Sequence, residues 1–144
     1  MYEMKETNLR AFVLAGKAIL TLVDTMEDIR YTYRVRKRKD KRSEGNVWFV
    51  DILVGKNNMS DYKYTCYFKE DLKIKTSQRS IVKDMKDKRI SMFKSMIAGI
   101  DTLPNDISWL KVYNMGTCGR CGKPLTVPSS IESGLGPECV KLSR

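Results

Sequence analysis

Three cysteines constrain this chain more than any other feature. Cys118-Gly119-Arg120-Cys121-Gly122 is followed by seventeen residues up to Cys139, with Pro124, Pro128, Gly134, Gly136 and Pro137 between them. A two-residue gap lets both thiolates face one ion, and the flanking glycines let the backbone curl around it. The first residues carry Glu3 and Glu6 ahead of any apolar stretch, and no segment reaches the roughly 18 apolar residues of a membrane span. A soluble cytoplasmic protein is therefore expected, in a compartment where thiols rarely pair as disulfides. A metal, zinc by ligand type and spacing, is the better reading of Cys118, Cys121 and Cys139.

Structural zinc takes four ligands, and a complete four-cysteine finger closes with a second CxxC, whereas VKLSR follows Cys139 here. Histidine, the usual nitrogen donor, does not occur in the sequence. The fourth position therefore falls to Cys66, Asn114, a carboxylate such as Glu132 or Glu138, or a water. Cys66 is the best chemical ligand of these, although a cysteine on the apolar face of a strand often simply fills the core. A three-thiolate zinc with an open site recurs in some nucleobase deaminases, but those need a glutamate beside an upstream ligand and then PCxxC, an order absent here. Without histidine the usual acid–base relay at neutral pH is also missing. The expectation is a closed structural site on a protein that is not an enzyme.

The remaining sequence reads as an α+β domain. At 144 residues, 42% apolar and 31% charged, the chain is apolar enough to fold and long enough for one body with a small appended module. LRAFVLAG and KAILTLVD read as strands meeting at Gly16. In DIRYTYRVR, Ile29, Tyr31, Tyr33 and Val35 alternate with Arg30, Thr32, Arg34 and Arg36, the period-two pattern of a half-buried strand. VWFVDILVG reads as a central strand, and in YKYTCYF the residues Tyr62, Tyr64, Cys66 and Phe68 share one face. Ile81, Met85, Ile90, Met92, Phe93, Met96, Ile97 and Ile100 recur at helical spacing after a cap at Ser77 or Ser80, with Gly99 and Pro104 ending the helix. DISWLKVYNMG then leads to the cysteines, with Trp109, Leu110 and Val112 as anchors. An antiparallel meander packed by one or two helices (residues 1–113) followed by a zinc knuckle (residues 114–144) is the expected architecture.

Charge narrows the partners. Twenty-seven Lys and Arg against seventeen Asp and Glu leave a formal charge of +10, which favours an anionic partner and argues against mimicry of DNA. Arg30, Arg34 and Arg36 share one strand face, and Lys37, Arg38, Lys39, Lys41 and Arg42 continue into the hairpin loop. These residues are the expected contact surface for an acidic protein patch or for nucleic-acid phosphates, with a merely solvated hairpin tip as the plain alternative. No recognition helix or stacking motif stands out, so nucleic-acid binding would be electrostatic and without sequence specificity.

The tail TCGRCGKPLTVPSSIESGLGPEC resembles a module of small phage proteins with the pattern CxxCGxxLTxPxSIxxGxGPxC. AGKAILTLVD, YTYRVR, WFVDILVG and SDYKY are similar, in the same order, to the front regions of those proteins. Several of them carry a histidine four residues before the first cysteine, where this chain has Asn114. The resemblance implies a phage or prophage origin and a zinc knuckle. It further suggests an anti-defence protein acting in the host cytoplasm on a host effector, an inhibitor of type II CRISPR-Cas9 that blocks loading of target DNA. A nucleic-acid-binding zinc protein is the alternative, and a virion assembly protein the third.

Overall fold

The structure, a computed structural model, describes residues 1–4, 9–102 and 108–142. Alternating apolar and polar residues build one six-stranded sheet from β1 (Tyr2–Glu3), β2 (Lys17–Asp24), β3 (Ile29–Lys39), β4 (Asn46–Leu53), β5 (Tyr62–Phe68) and β6 (Leu110–Asn114). The spatial order is β1-β6-β2-β3-β4-β5, and every pairing is antiparallel. The expected meander is therefore β2 to β5, and β4 is paired on both sides. Ala18, Leu20, Leu22, Tyr33, Val35, Val50 and Ile52 are buried on the inner face. There they meet α2 (Lys88–Ala98), whose Phe93 ring packs against Tyr33 at 5.2 Å and against Phe68 at 6.2 Å. The Tyr33 hydroxyl donates to the Arg89 carbonyl at 2.6 Å, tying the helix to the middle strand. The protein is thus an α+β fold with a helix on one sheet face and a cysteine cluster near its C-terminus.

Four local expectations need correction. LRAFVLAG is no strand: Leu9, Phe12 and Val13, spaced three and then one residue apart, are the buried side of a short helix, α1 (Leu9–Val13). The main helix begins at Lys88 with the Asp87 side chain accepting from the Arg89 N–H, not at Ser77 or Ser80. The Ile81 amide instead donates to the Tyr64 carbonyl alongside β5, and the Ile81 side chain is exposed. Gly99 does end the helix; Pro104 lies outside the described residues. The stretch around Trp109 is the start of a strand, because Leu110–Asn114 pairs with Leu20–Asp24 and completes the sheet on the far side of β2.

The fourth correction concerns β5. Val50 pairs with Cys66 but Asp51 pairs with Tyr64, so the strand carries a bulge at Thr65 that flips its parity. Cys66 and Phe68 face the core, with Phe68 stacked on Trp48. Tyr62 and Tyr64 turn to the opposite face, where Arg34 lies over Tyr62 and Phe49 meets Tyr64 edge-on. Among the described residues no helix is long and apolar enough to cross a membrane.

Candidate metal centre

Residues 116–125 form a tight reverse turn around Cys118. The Cys118 N–H donates to the Lys123 carbonyl at 2.8 Å, the Gly122 N–H to the Cys118 carbonyl at 2.9 Å, and the Leu125 N–H to the Gly116 carbonyl at 2.8 Å. Two short helices follow, α3 (Pro128–Ser133) and α4 (Pro137–Leu142), and Cys139 sits in the first turn of α4. Gly134 closes α3 in the left-handed region at φ 74°, and its carbonyl accepts the Gly119 N–H at 2.8 Å. This bond brings the junction of α3 and α4 against the turn, which places Cys139 beside the CxxC pair.

The three thiols converge within 4.8 Å of one another. Tetrahedral thiolates around zinc, with a Zn–S bond of about 2.3 Å, stand about 3.8 Å apart, so one ion can be held with small adjustments. Cys118 and Cys139 are buried and Cys121 is partly exposed. The Cys118 sulfur accepts backbone N–H groups from Arg120 at 3.4 Å, Cys121 at 3.5 Å and Gly136 at 3.3 Å. Burial alone would push this thiol up, but those donors outweigh it and bring its pKa down to about 7. Burial, reinforced by the neighbouring sulfurs, raises Cys139. A site that favours a thiolate at Cys118 beside the raised Cys139 thiol is one that a cation completes. A cavity of about 320 Å³ opens beside the thiols, with Ser130 and Glu138 also on its wall.

Among the described residues, Ala11 and Ala15 pack against the cysteine cluster, and three further contacts tie the module to the body. The Lys17 N–H at the start of β2 donates to the Gly119 carbonyl at 2.6 Å. Asn114, at the end of β6, donates from Nδ2 to the Ile131 carbonyl at 2.6 Å and accepts the Gly116 N–H on Oδ1 at 2.9 Å. The fully buried Phe12 ring is wedged under Gly119 and Gly134; a Cβ at Gly119 would stand 2.6 Å from it. Anchorage thus comes from Phe12, Lys17 and Asn114. Leu110 and Val112 face the main core, and Trp109 packs against it under the Lys88 ammonium.

Among the described residues, the metal-capable group that converges is Cys118, Cys121 and Cys139. Cys66 is in the sheet core opposite Val50, where burial pushes its thiol up to about 12. Asn114 lies close by, in the knuckle's own hydrogen-bond network, with both ends of its amide engaged. Glu132 and Glu138 are exposed on α3 and α4.

The basic residues of β3 and the hairpin loop after it divide into two sets. Arg34 and Arg36 both bind Asp51, a buried carboxylate on β4, with Arg36 bidentate at 2.6 and 3.0 Å and Arg34 at 2.9 Å. Their charge is partly neutralised within the sheet, and their guanidinium groups lie over Phe49 and Tyr62. Asp51 was visible in the sequence, but its pairing required the strand register. Arg30, Lys37, Arg38, Lys39, Lys41 and Arg42 are exposed. The hairpin tip is organised around Asp40, whose side chain accepts from the Arg42 N–H and Ser43 hydroxyl and pairs with Lys69 at 2.9 Å. The Lys69 ammonium is the main cause that brings the Asp40 carboxyl down to about 2.

A family model described as a family of unknown function (DUF6011) matches residues 112–144, the end of the last strand and the whole cysteine module. No curated protein and no solved structure matches the chain.

Proposed function

We propose that Cys118, Cys121 and Cys139 hold one zinc ion as a structural centre, and that the protein acts by docking on a partner rather than by catalysis. The observation that supports this most is the convergence of three thiols within 4.8 Å on a turn whose first sulfur already accepts three backbone N–H groups. Soft thiolate donors favour zinc over cations that seek oxygen. When bound, the ion supplies folding free energy to the module. Its fourth position belongs to the cavity side, to a water or to the Glu138 carboxylate, since Cys66 is committed to the core and Asn114 to the backbone. The lack of histidine in the sequence supports a structural rather than a catalytic role. Metal analysis after gentle purification is expected to give close to one zinc per chain, and Cys121→Ser to lose it; metal-free wild-type protein would overturn the reading.

Within this reading, docking on a Cas9-type host effector by a phage protein takes its support from the resemblance of the tail and front segments to small phage proteins. The formal charge of +10 also suits an acidic protein patch. Titration into guide-loaded Cas9 tests it directly. Reduced loading of target DNA, at a salt concentration high enough to leave bare DNA unshifted, supports the inhibitor; unchanged loading contradicts it.

A further inference from the structure

The sheet face bearing Arg34 and Arg36 is only one of the places where cations gather. Where β2 and β3 end next to the knuckle, an open cleft of about 510 Å³ is lined by Lys17, Lys37, Arg38 and Arg120, together with Ala15, Gly16 and Cys121. The junction is built by backbone bonds: the Lys37 N–H donates to the Gly16 carbonyl at 3.2 Å and the Lys17 N–H to the Gly119 carbonyl at 2.6 Å. Arg38 is held in place by its Nη1 donating to the Lys37 carbonyl at 2.8 Å. All four cations are exposed, no carboxylate lines the cleft, and none of the four has an ion-pair partner among the described residues. By contrast, Arg34 and Arg36 share Asp51.

We infer that this cleft between the knuckle and the ends of β2 and β3 is a seat for the phosphodiester backbone of nucleic acid, with Lys17, Lys37, Arg38 and Arg120 as its phosphate contacts. Cations without a carboxylate partner attract phosphates through charge and counterion release, independent of base sequence, even though Arg120 also bonds the Cys139 sulfur and Lys37 lies over the Trp48 ring. The walls between them are Ala15 and Gly16, so the large apolar or aromatic anchors on which protein interfaces depend are missing from this spot. Lys39, Lys41 and Arg42 extend the positive path along the hairpin. The inference rests on the metal reading only for Arg120, which is carried between two of the thiols; Lys17, Lys37 and Arg38 belong to the sheet.

The test is binding of a fluorescent single-stranded DNA of about 20 nucleotides to the full chain at several salt concentrations, with zinc content measured on the same samples. The wild type is expected to bind in a salt-dependent way. The double variant Lys37→Ala/Arg38→Ala is expected to bind about tenfold more weakly, with the slope of log affinity against log salt shallower by about 1.4. Arg30→Ala, at the other end of β3 from the knuckle, is expected to leave affinity unchanged. Both substituted side chains are exposed, and although Lys37 lies over the Trp48 ring at 5.7 Å, far-ultraviolet circular dichroism is expected to match the wild type; unchanged zinc content in the double variant shows the loss to be independent of the metal centre. Absence of DNA binding by the wild type, equal losses from Arg30→Ala and the double variant, or competition by polyglutamate as effective as by unlabelled DNA would each overturn the assignment. A zinc-free wild type that still shows the predicted loss would refute the metal centre and leave the cleft standing.

Discussion

Beneath the sheet, Phe12, Leu20, Tyr33, Val50, Phe68, Phe93 and Met96 are buried completely, whereas the apolar residues buried between positions 114 and 142 are Cys118, Leu135 and Cys139, two of them thiols of the candidate centre. The body therefore has an apolar core to hold it, at roughly 25 cal/mol per Å² of buried apolar surface. The module instead has turn hydrogen bonds, one leucine and three sulfurs. A segment this poor in apolar burial gains most from the folding free energy that the proposed metal would supply. The contrast also explains why Phe12 lies where it does, as the body's one large side chain under Gly119 and Gly134.

The sharpest way to break the comparison is Cys118→Ser. Apparent metal-linked folding free energies are on the order of 10 kcal/mol, so the module is expected to lose its order while strand and α2 signals persist, a two-step change read by near- and far-ultraviolet circular dichroism. Phe12→Ala comes next. It removes a fully buried ring at the joint and is expected to cost about 3–5 kcal/mol, measured by denaturant unfolding, and to weaken zinc retention as well. Cys66→Ser puts a hydroxyl into the sheet core and is expected to cost about 1–3 kcal/mol while zinc content stays at the wild-type value; lost zinc would make Cys66 a ligand after all.

The smallest effect is electrostatic. Asp24, bonded to the Lys88 ammonium at 2.6 Å and accepting the Met26 and Glu27 N–H groups, has its pKa lowered chiefly by Lys88. A depressed carboxyl contributes stability above its unfolded value of about 3.9, and that contribution is lost as pH falls through the folded pKa. The stability difference between wild type and Asp24→Asn is therefore expected to be constant near neutrality and to shrink below about pH 4, followed by urea midpoints across that range.

Periodicity carried the meander. The alternation from Ile29 to Arg36 and the apolar run of β4 were legible because each residue's face follows from parity alone. Parity failed at Thr65, where a bulge, invisible in sequence, sends Tyr62 and Tyr64 to the opposite face from Cys66. It failed again at Leu9–Val13, where a helix of five residues is too short to separate its period from that of a strand rich in Phe and Val. The late start of α2 reflects Asp87, which captures the Arg89 N–H. The cysteine cluster was legible from its spacing, since a two-residue gap and glycine-rich turns carry their own geometry. Lys17 and Arg120 were overlooked because their closeness is tertiary: the bond from the Lys17 N–H to the Gly119 carbonyl, with Phe12 under the knuckle, brings it to the start of β2.

In the proposed centre the metal orders the module, while the body stands on its own core. Amide hydrogen exchange with and without a zinc chelator tests this most directly. Chelation is expected to remove protection from residues 116–142 and to leave the ladder of β2, β3 and β4 protected. Equal protection of the module in both samples, or loss of the whole sheet along with it, would rule out a metal-ordered module on an independent body.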